Sequence, residues 1–395
     1  MKVKRIYEGK AQLFIPDLDY YCKVGSAKYE PSYAPVFYNP EMAFGRSLSI
    51  LVLRTYQKIF RKKLHICDAL AGTGVRGIRY SLEVPGIQRT WLNDKNPLAV
   101  ELIERNIRLN LLEHLSVISC LDANLMLLKN SYGDLRFDVI DIDPFGSPIN
   151  FVESSIHAIK DGGLLCLTAT DIPPLYGKYP DTCLRRYSSI SYSTEFSHEL
   201  AIRILVGAVA RKAAQLDFSC NVLFSHYTRH YIRVYITLRR SVRRADESLK
   251  NLGYIVFCNN CNYRMIEKSS FHHVSLICPF CGTLLKPIGP LWCGPIFNKS
   301  FLKNMENVLL QYQPEEYSKI KRLLKFIGEE ADGPPTFYVI DKLTKRLKVS
   351  SPKLKKVIEQ LQALGFFASR THFHPKGLRT NAPLKVLYDV VRSSL

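Results

Sequence analysis

The residues best placed for chemistry in this 395-residue chain lie in the stretch Phe137-Asp-Val-Ile-Asp-Ile-Asp-Pro-Phe-Gly-Ser-Pro148. Asp143 closes a short apolar run of Phe137, Val139, Ile140 and Ile142, which Pro144, Gly146 and Pro148 do not allow to continue. A carboxylate there stands at the C-terminal end of a predicted buried strand, where open α/β sheets bind their ligands. Asp138 and Asp141 read as polar edge positions of the same strand. Upstream, Leu64-His-Ile-Cys-Asp-Ala-Leu-Ala-Gly-Thr-Gly-Val-Arg-Gly77 predicts a strand ending near Asp68, then a turn of small residues. Gly72 and Gly74 let a ligand approach the backbone there. Asp94 ends the next predicted strand about 20 residues beyond, the spacing of a carboxylate that bonds ribose hydroxyls. Far downstream, Cys258-Asn-Asn-Cys261 and Cys278-Pro-Phe-Cys281 are separated by sixteen residues. Two such hooks fit a closed, tetrahedral, structural zinc site, with Cys293 as a spare.

These residues need rigid elements behind them. From Leu64 the pattern alternates strand and helix, as a doubly wound sheet requires, with strands predicted at 64–68, 89–93, 115–120, 137–143 and 163–169. A helix is predicted over Ser47–Phe60 with Arg46 at its start, where the sequence offers no acidic partner and a ligand carboxylate is within its chemistry. Residues 1 to 35 show no clear period and receive no chemistry. After Thr170-Asp-Ile-Pro-Pro174 the chain to about Glu195 reads as a long functional loop, followed by a helix over Ser197–Gln215 and strands at 219–225 and 231–238 that close the sheet as an antiparallel pair. The basic run Arg239–Arg244 marks a domain edge. Near the C-terminus, helices over Tyr338–Leu347 and Pro352–Leu364 lead to a hairpin after Gly365, the pattern of a winged helix.

Asp143-Pro-Phe-Gly146 behind such a glycine turn resembles the Asp-Pro-Pro-Tyr signature of class I S-adenosylmethionine-dependent methyltransferases that act on exocyclic amino groups of bases. Val36–Arg46, Asp94-Lys-Asn-Pro97 and Ser369–Thr380 extend the likeness over nearly the whole chain. Together they are similar to the tRNA guanine-26 N2,N2-dimethyltransferase family, and the compact length to its archaeal form. The resemblance implies an α/β, Rossmann-like methyltransferase sheet, parallel with an antiparallel edge, over residues 1–240. A zinc-binding subdomain over 241–300 and a basic winged-helix-like tRNA-binding domain over 301–395 complete the expected architecture. It implies S-adenosylmethionine as methyl donor, with Arg46 and Arg76 toward the methionine carboxylate, Asp94 at the ribose and Asp122 with Ala123 at the adenine. A plain helix N-cap is the other reading of Asp122. Asp143 is then the acceptor for the guanine amine, and Phe145 and Phe37 cover the faces of an extruded base, core packing being their alternative role. Ser47 departs from the aspartate expected after the arginine, which leaves that acid's job unassigned.

Composition narrows the partner. A formal charge of +20 with 47% hydrophobic residues describes a globular chain suited to a polyanion. Residues 331–395 carry 12 Lys/Arg against 4 Asp/Glu, a net +8, and within them Arg370, Lys376 and Arg379 alternate with turn and aromatic residues as predicted phosphate contacts. No apolar run reaches the ~20 residues of a membrane span, and the N-terminus lacks an apolar leader, so the cytosol is the expected compartment. No obligate protein partner is implied. Two rivals remain: a methyltransferase for another exocyclic amine, in a different tRNA guanine or in DNA adenine, and a non-catalytic zinc-ribbon regulator that binds nucleic acid.

Overall fold

The computed structural model describes residues 1–21, 33–61, 63–132, 135–268 and 276–394. They form two compact units of interleaved segments, one of Met1–Thr168, Tyr235–Arg239 and Lys303–Lys321, the other of Ala169–Val234, Arg240–Leu302 and Arg322–Leu395.

The N-terminal stretch, which shows no clear period in sequence, is a hairpin of β1 (Val3–Glu8) and β2 (Ala11–Pro16) turning at Gly9, whose φ of 55° suits glycine. Along β2 burial alternates, and Ala11, Leu13 and Ile15 enter a core with Ile78, Leu92 and Ile103. Asn106 fixes it: Oδ1 accepts from Phe14 N at 2.6 Å, and Nδ2 donates to Phe14 O and Thr73 O.

Five strands alternate with helices: β3 (Leu64–Asp68), β4 (Ile87–Asn93), β5 (Ser116–Ser119), β6 (Phe137–Ile142) and β7 (Ile159–Ala169). They are followed by β8 (Phe218–Thr228) and β9 (Tyr231–Arg240), a hairpin with a two-residue turn. The seven-stranded order is β5-β4-β3-β6-β7-β9-β8, and β5 through β7 run parallel. β3 and β6 lie centrally, and all six residues of β6 are buried. The order jumps from β4 to β3 to β6, so the switch point opens beside the C-terminal ends of β3 and β6.

Asp138 and Asp141 are not edge positions. Asp138 is 5% exposed and accepts from His65 N and Lys160 Nζ, while Asp141 is completely buried. A central strand has no polar edge, so each acid must be paired inside the sheet.

In the second unit the expected long loop after β7 contains two short helices, Ile172–Leu175 and Pro180–Tyr187, with Asp171 accepting from Tyr187 Oη at 2.7 Å. Helix Ser197–Ala214 follows as expected. A three-stranded antiparallel sheet of β10 (Leu252–Phe257), β11 (Arg264–Glu267) and β12 (Lys286–Trp292) carries the cysteine hooks. After helix Tyr317–Glu330 come β13 (Tyr338–Val339), helices Ile340–Leu347 and Leu354–Ala363, the hairpin β14 (Ala368–Thr371) and β15 (His374–Thr380), and helix Leu384–Ser393. β13 completes the small sheet beside β15, which is the winged-helix arrangement. No helix among the described residues is long and apolar enough to cross a membrane.

Candidate active site and metal centre

Two parallel strands end side by side, and their register pairs Asp68 of β3 with Asp141 of β6. Both carboxylates are buried, at 1% and 0% exposure. Asp68 Oδ2 accepts from Gly77 N at 3.0 Å, and Tyr80 Oη donates to Asp141 Oδ2 at 2.5 Å. Burial, and then the Asp141 charge, push the Asp68 carboxyl up to about 7. Arg76, on helix Val75–Glu83, is the cation among them: its Nε lies 3.9 Å from Asp141 Oδ2, Nη1 donates to Ser49 Oγ at 3.1 Å, and Nη2 reaches Asp143 Oδ2 at 2.5 Å. Asp143 is thus held at the mouth of the strand pair, with 19% of its side chain exposed.

The glycine turn sits next to this array. Gly72 and Gly74 both have left-handed φ, 55° and 77°, and a Cβ on Gly72 would come within 3.2 Å of Phe37 O. Gly72 N donates to Asp94 Oδ2 at 2.9 Å, while Asn96 N donates to Oδ1, so the predicted ribose acid and the predicted turn are one piece. Buried Asn93 ties the strand ends: its Nδ2 donates to Ala69 O and Leu121 O. Just beyond, Asp122 caps helix Ala123–Lys129 by accepting from Asn124 N and Leu125 N, with Ala123 buried behind it. Asp122 is therefore the N-cap of that helix.

Phe37 and Phe145 meet edge to face, ring centroids 4.5 Å apart and planes at 77°. Phe145 is 69% exposed. A base between two rings needs about 7 Å, two stacking distances of about 3.5 Å. The two rings therefore form a single aromatic ledge here, not two walls.

Arg46 does have an acidic partner, supplied from far upstream. Its Nε and Nη2 clasp Glu8 at 2.6 and 2.5 Å, and Nη2 also donates to Asn39 O. Burial alone would raise the Glu8 carboxyl; Arg46 and Arg79 override it and hold it at about 2. With its fork satisfied and 4% exposed, Arg46 braces the Phe37–Pro40 segment, and the absence of a partner no longer argues for a ligand contact. Ser47, where the resemblance implies an acid, accepts from Arg79 Nη2, and Glu8 and Glu83 supply Arg79's carboxylates.

The family is decided by comparison over the whole length. Residues 18–392 match the model of the N2,N2-dimethylguanosine tRNA methyltransferase family. This chain belongs to that family. A tRNA (guanine(26)-N(2))-dimethyltransferase of Methanosphaera stadtmanae is 40% identical over 98% of this chain and 96% of its own. One of Pyrococcus furiosus is 37% identical over both full lengths. The structure of Trm1 from Pyrococcus horikoshii in complex with S-adenosyl-L-methionine superposes with a TM-score of 0.85 at 34% identity, covering 98% of this chain and 99% of that one.

In this N2,N2-dimethylguanosine tRNA methyltransferase-family chain, Cys258, Cys261, Cys278 and Cys281 bring their Sγ atoms within 4.8 Å of one another. Two of the separations are 3.5 and 3.3 Å. Sulfurs around zinc at bonds of about 2.3 Å lie about 3.8 Å apart, so the four fit a tetrahedral ion. Each hook is the same turn: Asn262 N donates to Cys258 O and Gly282 N to Cys278 O, both at 3.0 Å, with φ of 59° and 67°. Cys293 stays outside the cluster.

The predicted phosphate contacts divide. Arg370 is exposed, and Lys376 is exposed but bonded to Asp341. Arg379 cannot touch a phosphate backbone: it is 2% exposed, and its guanidinium joins Glu199 and Glu330 at 2.7 and 2.8 Å. The basic composition of the segment concealed an internal ion triad. Sequence reasoning also missed Asp68, Asp141 and Tyr80. The Asp141–Asp143 spacing of two, which places both side chains on one side of a strand, was the available signal.

Proposed function

We propose that this chain dimethylates the exocyclic N2 of guanine-26 in tRNA, with S-adenosylmethionine as donor and Asp143 as acceptor for the amine. The observation that carries the reading is the family match over residues 18–392, coinciding with a carboxylate at the C-terminal mouth of β6. The guanine amine is a weak nucleophile because its lone pair is delocalised into the ring. Asp143 accepts a hydrogen bond from one N–H, returns electron density to nitrogen, and takes the proton as the N–C bond forms. Bound S-adenosylmethionine supplies an electrophilic sulfonium methyl. One N–H remains after the first transfer, so the same carboxylate serves the second.

The base must leave its stack to reach Asp143, and the exposed Phe145 with Phe37 offers a ledge for it. Gly72, Gly74, Arg76 and Asp94 form the cofactor side, with Asp122 and Ala123 at its far end. Functionally, residues 1–240 carry the chemistry, 241–300 a zinc-held brace and 301–395 the grip on tRNA, in the cytosol. Nucleoside mass spectrometry of unmodified tRNA transcripts, after incubation with enzyme and S-adenosylmethionine, tests this. N2,N2-dimethylguanosine at position 26 is the expected product, and methyl transfer only to another nucleoside, or none, defeats the proposal.

A further inference from the structure

A cleft of about 720 Å³ opens in the winged-helix region between helix Leu354–Ala363 and β14. Its volume is that of a site for a ligand of nucleotide size. Phe366, Phe367 and Ile358 give it apolar walls, and Lys355 and Arg370 stand at its rim. Ser369 also lines it. That side chain is 7% exposed, and its Oγ has no hydrogen-bond partner. A buried hydroxyl left unpaired costs stability, and so points to a ligand that completes it.

We propose that this cleft holds one unpaired nucleotide of the tRNA, remote in sequence from the methylation motifs, and so contributes to substrate selection; the proposal rests on tRNA being the substrate. An unstacked base has a π-face for Phe366 and Phe367, edge groups or a 2′-hydroxyl for Ser369, and a phosphate for Arg370 and Lys355. The rim also carries Glu329 and Glu359, the latter 3.6 Å from Lys355. A bare phosphate gains little at so mixed a rim, whereas a nucleotide presents N–H and O–H donors to the acids. Charge around the cleft suits a polyanion such as RNA: Lys342, Lys345, Lys348, Lys353 and Lys356 on the same winged-helix segment are all exposed.

The test uses the full chain and tRNA transcripts carrying 4-thiouridine at unpaired positions. Photocrosslinks to the peptide containing residues 366–370 are expected, and their absence while position 26 is still methylated overturns the cleft. Ser369→Ala separates structure from binding: the melting temperature should hold or rise as an unpaired hydroxyl is removed. tRNA affinity should meanwhile fall roughly three- to tenfold, the size of one hydrogen bond. Arg370→Ala should lower the log–log salt slope of binding by about 0.7–0.9. Wild-type tRNA affinity in both variants also overturns the proposal. Crosslinking does not depend on turnover, so a chain that crosslinks here but methylates no tRNA supports the cleft and defeats the functional reading. Crosslinking of free nucleotides, but not tRNA, at this peptide would show a small-molecule site instead.

Discussion

Arg76 Nη2 lies 2.5 Å from Asp143 Oδ2, and the same guanidinium faces buried Asp141 from 3.9 Å. The acceptor proposed for the guanine amine is therefore aimed by a cation whose own position is fixed by the interior of the sheet.

Asp143→Ala removes the acceptor but none of the groups placed on the cofactor side. Methylation should fall by about 10²–10⁴. S-adenosylmethionine affinity, measured by calorimetry, should stay near wild type, and a variant that keeps its turnover would remove Asp143 from the mechanism.

Arg379→Ala is expected to act on folding. It removes one cation from Glu199 and Glu330, both completely buried on their side chains, leaving Arg203 on the first and His372 on the second, and breaking a buried group by removing one partner costs up to about 3–5 kcal/mol. Denaturant unfolding should show that loss, while Lys376→Ala, at an exposed pair with Asp341, should cost less than about 1 kcal/mol. Equal effects from the two would contradict the internal triad.

Stability should depend on pH through two opposing groups of acids. Burial pushes Asp68 up to about 7 in the fold, above its unfolded value, so the native state holds a proton there that the unfolded state has lost. This contribution lowers stability as pH rises from about 4 to about 7, and Asp68→Asn should flatten that part of the profile. Glu8 and Glu199 behave oppositely. Their arginine partners outweigh burial and hold each at about 2, so their stabilisation is present above about 4.5 and is lost as pH falls toward 2. Melting temperatures of the wild type, Asp68→Asn and Glu8→Gln across pH 2–8 check both signs, and identical profiles would refute them.

Zinc removal should loosen the β10–β12 region and spare the chemistry. Purified protein should carry about one zinc per chain, and Cys278→Ser should lower both metal content and melting temperature. Metal-free protein with an unchanged melting temperature would leave the four thiols needing another explanation.

Local pattern carried much of this protein. The run Phe137–Ile142, closed by Pro144, could only be a buried strand with Asp143 at its mouth. Gly72 and Gly74 needed left-handed backbone that few other residues adopt. The spacing of the two Cys-x-x-Cys hooks alone pointed to the cluster of four thiols that fits one metal ion. Charge pairing was not legible, because it joins residues distant in the chain. Arg46 finds Glu8 through a hairpin whose short alternation was too brief to stand out, and Arg379 finds Glu199 across 180 positions. Sequence counts such residues as solvated charge. Only packing decides which guanidiniums lose their water, and once one does, a carboxylate must follow it into the interior.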